Sequence, residues 1–236
     1  MKSKNNKIIN ILSNFAITFM LVGMIFLTFS YNTKFTFSEK HNGAYYRGNE
    51  ENKNVSIMIN VYWGSEYILD ILDVLDKYNV KTTFFVGGSW VEKNSDLLLE
   101  INARGHEIGN HGYFHKDHNK LDYNGNYNEI EPNNLIIEKY LGIKPILFAP
   151  PSGAYNKITV EVANALNMKT IMWSKDTIDW RDKNTDLIIR RATNNIQNGD
   201  LILAHPTKNT LEALPSILKI YRDCCFNVVP VSKNIE

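Results

Sequence analysis

Two histidines four residues apart, His111 and His115, follow the short run Glu107-Ile108-Gly109. Emerging from a strand end in a turn or short helix, imidazoles at this spacing face one side and suit one divalent cation. Histidine pairs are also common on surfaces, so the pair alone leaves a structural role open. Asp117 and His118 lie just beyond, and nothing in their spacing favours them as ligands. Further on, Asp176 and Asp179-Trp180 follow the apolar run 170–173, and His205 follows the run 201–203. A carboxylate and an imidazole at strand ends can serve as an orienting pair for a general acid. Taken singly, each is equally open to reading as a capping carboxylate or a core histidine. Pro150-Pro151-Ser152-Gly153 predicts a rigid loop and by itself says little.

The elements that must position these groups alternate. Residues 55–61, 82–86, 107–109, 146–148, 170–173, 201–203 and 228–231 read as strands. Between them lie stretches with helical spacing: Ile68, Leu69, Ile71, Leu72 and Leu75, then Leu97, Leu98 and Ile101, then Leu187, Ile188 and Ile196. Strand–helix repeats of this kind imply an α/β fold with parallel pairing. About seven units suggest a distorted (β/α) barrel more than an open sheet. Functional groups then collect at the C-terminal ends of the strands.

With 236 residues and a formal net charge of +1, the chain has no field that would select nucleic acid. No residue from 8 to 33 is charged, and Lys2, Lys4 and Lys7 precede that stretch. This predicts a basic cytoplasmic tail over 1–7 and a membrane span, as an uncleaved signal-anchor, over 8–33. The remainder is then extracytoplasmic, or secreted if the segment is cleaved. A polar linker over 34–54 would tether one folded domain over 55–236. The cysteines, Cys224 and Cys225, are adjacent and form no disulfide framework.

In this order the segments resemble the NodB-type domain of the polysaccharide deacetylases, carbohydrate esterase family 4. The matching stretches are Lys81-Thr82-Thr83-Phe84-Phe85-Val86-Gly87, Gly105-His106-Glu107-Ile108-Gly109-Asn110-His111 through His115, Pro150-Pro151-Ser152-Gly153-Ala154-Tyr155-Asn156, Trp173 through Trp180, and Gly199 through His205. The resemblance implies hydrolysis of amide bonds in N-acetylated polysaccharides. It also implies a zinc-like divalent metal held by one Asp and two His, with a second Asp activating water. His111 and His115 take the two imidazole positions, His205 the position that protonates the leaving amine, and Asp179 the place beside it.

The departures are specific. Where the family has Thr-Phe-Asp-Asp-Gly, this chain has Asn60-Val61-Tyr62-Trp63-Gly64, with Tyr62 at the base position and Trp63 at the metal-ligand position. Ala149 stands where an Arg usually orients the base. A general base is typically worth about 10²- to 10⁴-fold in rate, so deacetylation is expected to be weak or lost and metal binding weak or vestigial. Glu66 is the nearby carboxylate that could substitute. The expectation is a deacetylase-like protein acting on peptidoglycan-type glycans of the cell envelope, in a divergent subgroup resembling sporulation-associated members. The alternative is a non-catalytic glycan-binding or scaffold protein using Tyr62, Trp63, Pro151, Tyr155 and Trp180 as its groove. A third reading is an enzyme with another base and substrate.

Overall fold

Seven of the eight residues in the strand Asn54–Val61 are buried, so both of its faces are covered. That is the pattern of a central parallel strand rather than of a half-exposed one. The computed structural model describes residues 15, 17–20 and 40–236. Residue 15 and residues 17–20 are helical. The rest of the expected span over 8–33 lies outside the described residues, as do the tail 1–7 and linker residues 34–39. Among the described residues no helix is long and apolar enough to cross a membrane.

The strands are β1 (Lys40–His41), β2 (Ala44–Tyr45), β3 (Asn54–Val61), β4 (Thr83–Val86), β5 (Glu107–Asn110), β6 (Leu147–Phe148), β7 (Lys169–Ile171), β8 (Lys175–Asp176), β9 (Leu201–Ala204) and β10 (Asn227–Val228). They form one curled sheet in the order β1-β2-β7-β6-β5-β4-β3-β9-β8, with β10 beside β3. Every pairing is parallel except the β1–β2 hairpin. Among the described residues β8 and β1 do not pair, so the result is a curled half-barrel.

Alternation along β3 separates two cores. Val55, Ile57, Ile59 and Val61 pack outward, in a cluster with Ile71, Leu75, Leu214 and Leu218 of the surrounding helices. Met58 points inward with Phe85, Leu147, Ile171 and Leu203. The helix Ile68–Lys77 buries Ile68, Ile71, Leu72 and Leu75, the residues whose spacing marked it.

Two stretches differ from the sequence reading. From Lys40 on, the expected tether belongs to the sheet: Asn42 and Gly43, at φ 52° and 86°, turn the β1–β2 hairpin, and β2 lies along β7. Behind it Arg47 reaches the fully buried carboxylate of Asp200 at 2.9 Å. At the other end the predicted strand 228–231 stops at Val228, because Pro230 has no N–H for a ladder. The chain instead coils into a short helix, Val231–Asn234, which seats Val231 in the inner core and donates its amide to Thr83 Oγ1 at 2.8 Å.

Candidate active site

The strand ends meet at one cavity of about 390 Å³, lined among others by Tyr62, Trp63, His111, His115, Trp180 and His205. These residues, all singled out in the sequence, thus face one space. His111 is 1% exposed, and its Nδ1 lies 2.7 Å from the Ala149 carbonyl. A carbonyl only accepts, so Nδ1 carries the proton and Nε2 keeps its lone pair. Burial holds His111 neutral, its pKa well below the usual histidine value, with the neighbouring His115 adding to the effect. Burial lowers the pKa of His115 too.

No helix carries the pair. Gly112 and His115 both take left-handed backbone, at φ 71° and 56°, and the two rings meet edge to face with centroids 5.0 Å apart. A polar scaffold fixes this loop from beneath. Asn110 Oδ1 accepts the Gly112 amide at 2.7 Å. Asn133 Nδ2 reaches the Gly112 carbonyl at 3.0 Å, and Glu129 Oε2 accepts the Phe114 amide at 2.8 Å. Asn133 and Glu129 come from the helix Tyr123–Leu141, whose buried face is largely polar. His118 is buried against Asn126 Oδ1 at 2.7 Å, and Asp117 caps the turn His118–Lys120, so both serve structure.

Across the cavity His205 Nδ1 lies 2.8 Å from Asp179 Oδ1. The other oxygen of Asp179 accepts the His205 amide at 2.7 Å and the Thr210 hydroxyl. Asp179 therefore sits behind the imidazole and does not line the cavity. The Trp63 indole stacks on His205, with centroids 5.8 Å apart and planes 6° from parallel. Gly64 makes this possible, since at φ 78° a Cβ there would stand 2.1 Å from the Pro206 carbonyl oxygen. Tyr62 lies against His115 at 4.9 Å and accepts the Ser89 hydroxyl at 3.0 Å.

The cation implied by the family resemblance would take His111 and His115, but the residues present do not fit it. Tyr62 and Trp63 occupy the strand end beside them, and an indole offers no lone pair. Among the described residues no group of three or more His, Cys, Asp or Glu converges as ligands would. Glu66, in the turn Ser65–Tyr67, does not line the cavity.

Pro151 and Tyr155, expected in the groove, do not line the cavity either; Pro151 is buried, and the Tyr155 hydroxyl meets that of Tyr46 at 2.9 Å. Lining residues the sequence reading did not place in the groove include Asn60, Ser152 and Trp173, and Asp176, read there only as a possible orienting carboxylate, joins them. Asn60 shares a strand face with Tyr62 two residues on, so alternation alone would have found it. Asp176 stands at the end of β8, a strand too short to show a pattern.

The half-barrel with its histidines at the strand ends is the arrangement of the polysaccharide deacetylase family: residues 47–171 match the polysaccharide deacetylase family model, and the chain belongs to that family. It is 41% identical over 178 residues to the uncharacterized protein YlxY of Bacillus subtilis (strain 168), covering 75% of this chain and 56% of that protein. It is 34% identical over 164 residues to the peptidoglycan-N-acetylmuramic acid deacetylase PdaC of the same organism, covering 69% of this chain and 34% of PdaC. The match thus spans about half of one relative and a third of the other. Among solved structures, a CE4 family pseudoenzyme from Bacillus anthracis superposes with TM-score 0.81 at 34% identity, covering 84% of this chain and 71% of that one. A mutant of it described as having restored enzymatic activity also superposes at 0.81, with 33% identity over 84% and 73% of the two chains.

Proposed function

We propose that this protein is a cell-envelope glycan-binding member of the deacetylase family whose hydrolytic activity is weak or lost. The observation that carries the reading is the pairing of two ordered, neutral imidazoles, His111 and His115, with Tyr62 and Trp63 where acid groups would complete the site. What remains is a cleft of about 390 Å³ with indole rings at its mouth: Trp63 is 45% exposed and Trp180 56%. Rings so placed suit the apolar faces of sugars, and a cavity of this size is ordinary for a small ligand. The peptidoglycan deacetylase among the relatives and the pseudoenzyme among the structural neighbours both support this reading. The uncharged stretch over 8–33, behind three lysines, supports attachment to the membrane with the folded part outside. A reporter fused after residue 54 tests that orientation: activity in the cytoplasm would contradict it.

The main test is acetate release from N-acetylated peptidoglycan fragments, with and without zinc or cobalt. The wild type is expected to release little or none above background. The double variant Tyr62→Asp/Trp63→Asp is expected to gain metal-dependent release that His111→Ala then abolishes. The restored mutant of the neighbouring pseudoenzyme supports this design. Metal-dependent release by the wild type that vanishes in His111→Ala would overturn the silenced reading.

A further inference from the structure

Among the described residues the cavity keeps one carboxylate on its wall, that of Asp176. Its Oδ1 accepts the Ile178 amide at 2.8 Å, which fixes the group's direction. The basic side chains nearest it in sequence are engaged elsewhere: Lys175 pairs with Asp200, and Arg181 and Arg191 pair with Asp182. Among the described residues no Lys or Arg lines the cavity. Around this acid stand the rings of Tyr62, Trp63, Trp173 and Trp180. Their π faces attract cations, most strongly where water is displaced. Burial pushes the Asp176 carboxyl above the usual carboxylate range, even though His205 across the cavity and Arg191 act to lower it.

Resting on the glycan-binding reading above, we propose that the cleft selects amino sugars bearing a free ammonium group over their N-acetylated counterparts, with Asp176 receiving the ammonium. A carboxylate that meets an ammonium gains a charge-assisted hydrogen bond, whereas an acetamide N–H is a neutral donor and brings a methyl group with it. The indoles of Trp63 and Trp180 would cover the pyranose face. By this inference the protein recognises the product of de-N-acetylation rather than its substrate, so the class of reaction that supplies its ligand is the one the family performs.

The test titrates the full-length protein with glucosamine tetramer, N-acetylglucosamine tetramer and tetralysine, following tryptophan fluorescence and calorimetry. The free-amine glycan is expected to bind roughly 10- to 100-fold more tightly than the acetylated one, the range for a hydrogen bond to a charged group. Asp176→Asn keeps the oxygen that Ile178 donates to and removes only the charge. It is expected to level the two glycans by weakening the free-amine one, while leaving the acetylated one unchanged. Equal or tighter binding of the acetylated tetramer would overturn the ammonium inference and leave the glycan reading standing; no binding of either tetramer would overturn both. A preference that survives in Asp176→Asn would remove Asp176 from the site. Tetralysine competing as strongly as the amino sugar would replace the glycan by a cationic peptide.

Discussion

Acidification offers a measure of how this fold uses its buried histidines, and His106 shows the size of the effect. Its side chain is 3% exposed at the start of β5. Its Nδ1 accepts the Thr82 amide at 3.1 Å, and its ring meets Phe84 edge on at 5.3 Å. The acceptor role of Nδ1 places the proton on Nε2, which has no partner. Burial, with the Lys81 ammonium adding to it, lowers the pKa from 6.5 to about 4. The unfolded chain therefore takes up a proton in a range where the folded protein refuses one. Stability from this group is complete above about pH 6.5 and drains away as the pH falls toward 4. At about 1.4 kcal/mol per pH unit, the gap amounts to roughly 3 kcal/mol at most, a large part of the ~5–15 kcal/mol that holds an ordinary domain together. Urea unfolding of wild type and His106→Asn across this range isolates the contribution, because every other titrating group is common to both. Asn rather than Gln puts an oxygen on Cγ where Nδ1 was and can still accept the Thr82 amide, and the non-titrating variant is expected to show the shallower loss. Parallel slopes, or a His106 NMR titration midpoint near 6.5 in the folded protein, would refute the reasoning.

Three further outcomes are expected. Arg47→Ala leaves the buried Asp200 carboxylate without its closest cation and should cost about 3 kcal/mol, read as a lowered urea midpoint. Gly64→Ala drives a Cβ into the Pro206 carbonyl from left-handed backbone; it should cost upwards of about 2 kcal/mol in thermal unfolding and release Trp63 from His205. Trp180→Ala, at a position already 56% exposed, should leave stability within about 0.5 kcal/mol while weakening glycan binding about tenfold.

The fold was legible where burial is apolar. The runs at 55–61 and 201–203 become β3 and β9 because Val, Ile and Leu there face packed helices or the inner core. Legibility failed where polar groups carry the packing. The helix Tyr123–Leu141 buries Asn126, Glu129, Asn133 and Asn134, so no apolar stripe marks it, yet its amides and carboxylate hold the His111–His115 loop. Strands β1 and β2 are two residues each and look like linker. The signal that could have found them was Asn42-Gly43, a dipeptide suited to two consecutive residues with positive φ. At the site, the strand-end rule expects both histidine groups on one rim, and His111, His115 and His205 line one cavity. Asp176 was read only as a possible orienting carboxylate, and its place on the cavity wall was not, because a two-residue strand offers no alternation from which to judge the side it faces.

The hairpin at one end of the described barrel and the helix at the other also clasp each other. The Asn49 amide donates to the Asn234 carbonyl at 2.6 Å, and Gly48 passes so close that a Cβ would stand 2.4 Å from that same oxygen. The stretch just after the hairpin and the last helix thus lie in direct contact. A circular permutant that joins residue 236 to residue 40 through a short flexible linker, and opens the chain at the exposed turn after Gly142, would keep every strand neighbour in place.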